Sequence, residues 1–217
     1  MGAKTWMLVL AENNARTALA VRPLLNREHT EKLAKVLFPG EPLELMGDVD
    51  LSHTCPSDEE LHIGCFPGVT VVAAKEFASN YPSKLHQKFI VAGGHGMITL
   101  HAMHSVVDWF AYAIWTNGKL VRSLSLSPDN GIIEDIGQHL PFEEPYWSGA
   151  YPAFEEDDSE QDAYPFQFHP LELGETTLKN HFGSQLEGVV DTTLLEPETI
   201  PLMRYKRFRL PWWKFWR

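Results

Sequence analysis

The chain is poor in cysteine, in basic residues and in long apolar runs. Only two cysteines, Cys55 and Cys65, occur in 217 residues. They form no Cys-x-x-Cys pair and cannot make a zinc knuckle without other ligands. The expected compartment is the cytoplasm, where both thiols stay reduced. Lysine and arginine number 18 against 29 acidic residues, a formal net charge of −11. A nucleic-acid surface needs many cations at phosphates, so nucleic acid is not an expected partner. No stretch approaches the roughly 18 consecutive apolar residues of a membrane span. The opening MGAKTWMLVLAENN has the alternation of a first strand, not the apolar block and small-residue cleavage site of a signal peptide. There is no internal repeat.

What is present suits a globular core. Hydrophobic residues make up 44% of the chain and aromatics 12%, enough for one large domain. The charge is uneven. The last fourteen residues, RYKRFRLPWWKFWR, hold six of the eighteen basic residues and no acid. The preceding 203 carry twelve basic against twenty-nine acidic residues, a net charge of −17. This divides the chain into a single α+β domain over 1–203 and a basic aromatic C-terminal strand and tail over 204–217.

Periodicity predicts strands over Thr5–Ala11, Leu43–Met46, Glu60–Cys65, Val69–Ala74 and Ile200–Phe208. It predicts helices over Thr30–Phe38, stopped by Pro39-Gly40, and over Leu173–Phe182, with Gly183 as C-cap. Short helical turns fit Lys75–Ser79 and Ser83–Phe89. Residues 47–60 and 128–137 read as connections, and 141–164 as a long acidic and aromatic loop.

Asn117-Gly118 between strand-like runs is a strong hairpin signal, because both turn positions need positive φ. Counting back from that turn pairs Trp115 with Leu120, Ala113 with Arg122, Ala111 with Leu124 and Trp109 with Leu126. Phe110, Tyr112 and Ile114 fall on the other face, which mixes aromatics with hydroxyls and suits cover by a helix, an interface, or partial exposure to water; Phe110 and Tyr112 are the interface candidates. The first strand, Thr99–Thr116, is eighteen residues long, so a bend or bulge near His104-Ser105 is expected.

His95, His101, His104 and Asp108 are the densest group of metal-type donors, suited to zinc or iron. In one extended strand, however, His101 faces away from His104 and Asp108, and the latter two sit about 13 Å apart. Asp48, His53 and Cys55 offer acid, imidazole and thiol in one loop, the raw materials of nucleophilic catalysis. Proximity in sequence shows neither hydrogen-bond reach nor orientation. Gly93-Gly94-His95-Gly96 lacks the order of a phosphate or dinucleotide loop. In the tail, Trp212, Trp213, Phe215 and Trp216 alternate with Lys214 and Arg217, a composition suited to a protein interface or weak contact with an anionic membrane surface.

The run LHAMHSVVDWFAYAIWTNGKLVRSLSLSPDNG at Leu100–Gly131 resembles a family of uncharacterised actinobacterial proteins known only as a domain of unknown function. MGAKTWMLV at Met1–Val9, LFPG at Leu37–Gly40, CFPGVTVV at Cys65–Val72, LPFEEPYWSG at Leu140–Gly149 and FHPLELGE at Phe168–Glu175 carry the same resemblance. It spans about residues 1–203 and stops before the tail. The resemblance implies an intracellular, single-domain actinobacterial protein and brings no activity, ligand or catalytic set.

The sequence therefore predicts an α+β fold. Its mostly antiparallel sheet has a long central hairpin and is covered on one side by a few short helices. The expected function is a non-enzymatic structural or protein-interaction module with a protein partner or a second copy, and no cofactor. The alternative is a hydrolase or other enzyme, possibly metal-dependent, built on the His95/His101/His104 region.

Overall fold

The computed structural model describes residues 2–153, 164–188 and 191–208. Nine strands form one sheet: β1 (Lys4–Ala11), β2 (Leu43–Asp50), β3 (Glu60–Phe66), β4 (Val69–Ala73), β5 (Met97–His104), β6 (Trp109–Thr116), β7 (Lys119–Ser127), β8 (Gly131–Ile136) and β9 (Pro201–Arg207). Their spatial order is β2-β9-β3-β4-β1-β5-β6-β7-β8, and every pairing is antiparallel. The helices are α1 (Ala15–Ala20), α2 (Arg27–Leu37), α3 (Gln87–Ala92), α4 (Glu144–Trp147) and α5 (Pro170–Phe182). The boundary drawn at residue 204 falls inside β9, which lies between β2 and β3.

Both faces of the sheet are covered, where cover on one side was expected. The reason is visible in β1, where TWMLVLA is apolar at every position after Thr5, as a strand buried on both faces must be. Met7 and Val9 point into one core, with Leu19 of α1 and Leu173, Leu178 and Phe182 of α5. Trp6, Leu8 and Leu10 point into the other, with Ala34 and Leu37 of α2 and Phe89 and Ile90 of α3.

The expected eighteen-residue strand is two strands. The chain reverses at Ser105–Asp108, so β5 and β6 pair side by side, with His104 opposite Trp109 and Met97 opposite Thr116. Asp108 closes the reversal at φ 44°, ψ 32°, a left-handed conformation that aspartate tolerates better than most residues. HSVVD contains neither glycine nor proline, so the turn carries no conventional signal.

The Asn117-Gly118 turn is in place, with φ of 52° and 72°. Thr116 pairs with Lys119 and Trp115 with Leu120, as expected. Beyond that the register departs by one residue: Ile114 pairs with Arg122, Tyr112 with Leu124 and Phe110 with Leu126. Val121 is the extra residue of a β-bulge. One inserted residue turns the rest of β7 over, because side chains alternate with period two. Leu124 and Leu126 therefore pack with Phe110 and Tyr112, and the serines at 123 and 125 lie with Ala113 and Ala111.

α5 begins and ends as its sequence dictates. His169 is the N-cap, its Nδ1 accepting from the Leu171 N–H at 3.3 Å, and Pro170 takes the first helical position. Gly183 ends it in the left-handed conformation, φ 70°. Further elements differ from expectation: β8 occupies what read as a connection, α4 lies within what read as a long loop, and β2 runs on to Asp50 past a bulge at Met46.

Candidate functional site

The structure scatters the four metal-type donors. His101 and His104 lie on opposite faces of β5. His101 is fully buried under α5, its Nε2–H donating to the Gly174 carbonyl at 3.0 Å, while Nδ1 has no partner. Burial drives its pKa down to about 4, so the ring is neutral. His104 lies on the other face, in a cleft with Trp6 and Trp109. His95 lines a separate cleft of about 410 Å³ with His29 and Glu12. Asp108 faces His169 across 3.6 Å. Nδ1 of His169 caps α5 while its Nε2 faces Asp108, so the helix start lies beside the β5–β6 reversal. Among the described residues no three or more His, Cys, Asp or Glu side chains gather to hold a metal ion.

The loop candidates do not assemble either. Asp48 receives both terminal nitrogens of Arg27. His53 Nδ1 lies 3.1 Å from Asp50 Oδ1 and from Ser52 Oγ. Among the described residues no hydrogen bond joins it to Cys55. Cys55 is exposed, yet desolvation holds its thiol above the usual range against the pull of Lys4 and Lys75, the opposite of an activated thiolate.

Phe110 and Tyr112 were expected at an interface. Both are fully buried inside the chain, because the bulge at Val121 brings Leu124 and Leu126 beside them and α5 packs on top. They are core residues. Trp212, Trp213, Phe215 and Trp216 lie outside the described residues.

The sequence reading missed the main polar feature of the core. Arg122 and Glu143, both with no side-chain exposure, form a two-nitrogen pair: Nε to Oε1 at 2.9 Å and Nη2 to Oε2 at 2.7 Å. The Tyr112 hydroxyl and the Leu140 N–H (2.9 Å) also donate to Oε1, and Trp147 Nε1 donates to Oε2 at 3.3 Å. Arg122 Nη1 donates to Asp135 and to the Ile136 carbonyl at 3.1 Å. Desolvation pushes the Glu143 carboxyl up, but the bonds from Arg122 and Tyr112 outweigh it and hold it below its usual range. Burial and the neighbouring carboxylate push the Tyr112 phenol up. Every member is already bonded, so the network pins the segment carrying α4 to the sheet and offers no group for chemistry. An arginine in mid-strand was the available signal, but the unslipped register aimed it at the other face.

One glycine sets the helix–sheet distance. A Cβ at Gly174 would stand 3.0 Å from Met103 Sδ and 3.1 Å from Phe110. Its absence lets α5 approach β5 closely enough for the Gly174 carbonyl to meet His101.

A model built for a family of unknown function, DUF6928, matches residues 5–205. The chain belongs to this family. No curated protein matches it, and no solved structure does. The DUF6928 match begins one residue into β1 and ends within β9, so it takes in all nine strands, both helical layers and the Arg122–Glu143 pair. No helix among the described residues of this DUF6928 chain is long and apolar enough to cross a membrane.

Proposed function

We propose that the chain is a non-enzymatic protein-interaction module whose docking strip is the outer edge of β2, and that its occupant is the basic aromatic sequence 209–217 of a second copy. The supporting observation is the make-up of that strand. β2 pairs only with β9 among the described residues, and Leu45 and Met46 are about half exposed, at 50% and 53%. Its sequence, LELMGDVD, has three acids and no base. An open edge offers a row of N–H and C=O groups to an extended peptide. Asp48 is neutralised by Arg27, which leaves Glu44 to repel another copy of the same edge and to favour a basic segment. Residues 209–217 read RLPWWKFWR, three basic residues and no acid. The hydrolase alternative lacks comparable support, since its donors do not converge.

The test is calorimetric titration of the synthetic peptide RLPWWKFWR into chain truncated after Phe208, with light scattering on both chain lengths. Expected are saturable binding that weakens with salt and in Glu44→Lys, and self-association of the full chain that truncation abolishes. A monomeric full chain that ignores the peptide would overturn the reading.

A further inference from the structure

A cleft of about 320 Å³ opens at one end of the sheet, on the α2/α3 face, and is separate from the β2 edge. Side chains on one face put Trp6, His104 and Trp109 in a row, because Lys4 pairs with His104 and His104 with Trp109. Lys75 and Asn80 wall one side, and Asn130 the other, where β7 turns into β8.

Its groups are arranged for a ligand. The Lys75 ammonium stands 4.1 Å above the centre of the Trp6 ring, which holds the cation at the mouth. Both indoles are tethered: Trp6 Nε1 donates to the Pro56 carbonyl at 3.0 Å and Trp109 Nε1 to Ser125 Oγ at 3.3 Å. They act as fixed walls. His104 lies between them, half-buried, and its ring makes no hydrogen bond to any described residue. Elsewhere in the sheet the buried charges are consumed, by Glu143 at Arg122 and by Glu41 and Glu76 at Arg207. Here an ammonium, an imidazole and two amides border open space, with Asp129 as the one lining acid.

We infer that this cleft binds a small planar monocarboxylate, its carboxylate on Lys75 and His104 and its flat body laid over the His104 ring, bordered on either side by Trp6 and Trp109. The three rings supply the planar selectivity, and the cation and imidazole supply the anion site. Asp129 at the rim works against a second negative charge on the ligand. The groups facing His104 are Lys4 from β1, Lys75 after β4 and Asp129 from the β7–β8 turn. Desolvation, reinforced by Lys4 and Lys75, lowers its pKa. A carboxylate beside it reverses that field.

The experiment is NMR titration of the full chain with sodium benzoate, and with benzamide as the neutral isostere. Expected are saturable shifts of the Trp6 and Trp109 indole N–H signals, a rise in the His104 pKa under benzoate, and benzamide binding at least tenfold weaker. Lys75→Met, a change at an exposed position that keeps the alkyl stem over Trp6, should weaken benzoate at least tenfold without moving Tm. Asp129→Asn should admit phthalate, which the parent chain rejects. Unmoved cleft signals, equal binding of benzamide, or undiminished affinity in Lys75→Met would each overturn the inference; benzamide, needing no mutant, keeps it testable should Lys75→Met misfold.

Discussion

Arg122 and Glu143 meet only because Val121 is bulged out of β7. With the plain two-residue hairpin register, Arg122 would face Ala113, on the opposite side of the sheet from Tyr112 and Glu143. The bulge turns it over, and the guanidinium reaches the carboxylate at 2.7 Å with neither side chain exposed.

Breaking one side of this pair should cost far more than removing both. Glu143→Gln leaves a buried guanidinium short of its counter-charge, and a loss of about 3–5 kcal/mol is expected by urea denaturation. Arg122→Met combined with Glu143→Leu should recover much of that loss. A double variant as unstable as the sum of the two singles would show that the pair contributes no coupling.

Val121 is expected to matter as a residue count and hardly at all as a side chain. It is 44% exposed. Val121→Thr should change stability by no more than about 0.5 kcal/mol. Deleting Val121 restores the plain register, turns Arg122 to the wrong face and should abolish cooperative unfolding. The check is thermal denaturation of the two variants side by side.

Gly174→Ala tests the close approach of α5. Helix propensity alone favours alanine by about 1 kcal/mol. The added methyl meets Met103 and Phe110 at 3.0 and 3.1 Å, closer than ordinary van der Waals contact, so both must shift. Overpacking of about 1–3 kcal/mol should win, so a net loss in Tm is expected. A gain would mean that Met103 moves aside freely.

Acid should destabilise the fold through its buried imidazoles. His101 and His181 both titrate near pH 4 in the folded chain, burial being the main cause, against 6.5 in the unfolded one. Between those values the unfolded chain binds more protons, so stability is full above about pH 6.5 and falls as pH drops toward 4. For His101 the full span amounts to about 3 kcal/mol. Urea midpoints measured across this range should fall, and His101→Gln should flatten the slope.

The two thiols should differ in reactivity. Cys55 is exposed and Cys65 buried. An Ellman titration of the native chain should label one thiol slowly, with a rate rising through alkaline pH because the Cys55 thiol is held up by desolvation. Both should label in urea. Rapid labelling of Cys55 at neutral pH would contradict the environment described for it.

What could be read in the sequence was whatever a few adjacent residues decide. Asn117-Gly118 dictated its turn, because few other pairs accept two positive φ angles. The apolar run of β1, the periodicity of α2 and the Gly183 stop of α5 are equally local. The antiparallel α+β class follows from them.

The tertiary structure decided which of these residues meet. Whether Thr99–Thr116 is one strand or two rests on Asp108 accepting φ 44° once β5 and β6 can pair. Whether Arg122 reaches Glu143 rests on one extra residue in β7, which alternation cannot reveal because both faces of this sheet are buried. Whether His101 and His104 share a site rests on strand geometry, which sends one into the α5 core and the other to the Trp6 cleft. Turn and helix-cap preferences act over a few residues. Register and face are fixed by packing between segments far apart in sequence, 73 residues for His101 and Gly174 and 144 for Glu60 and Arg204, and that information exists only when the chain is folded.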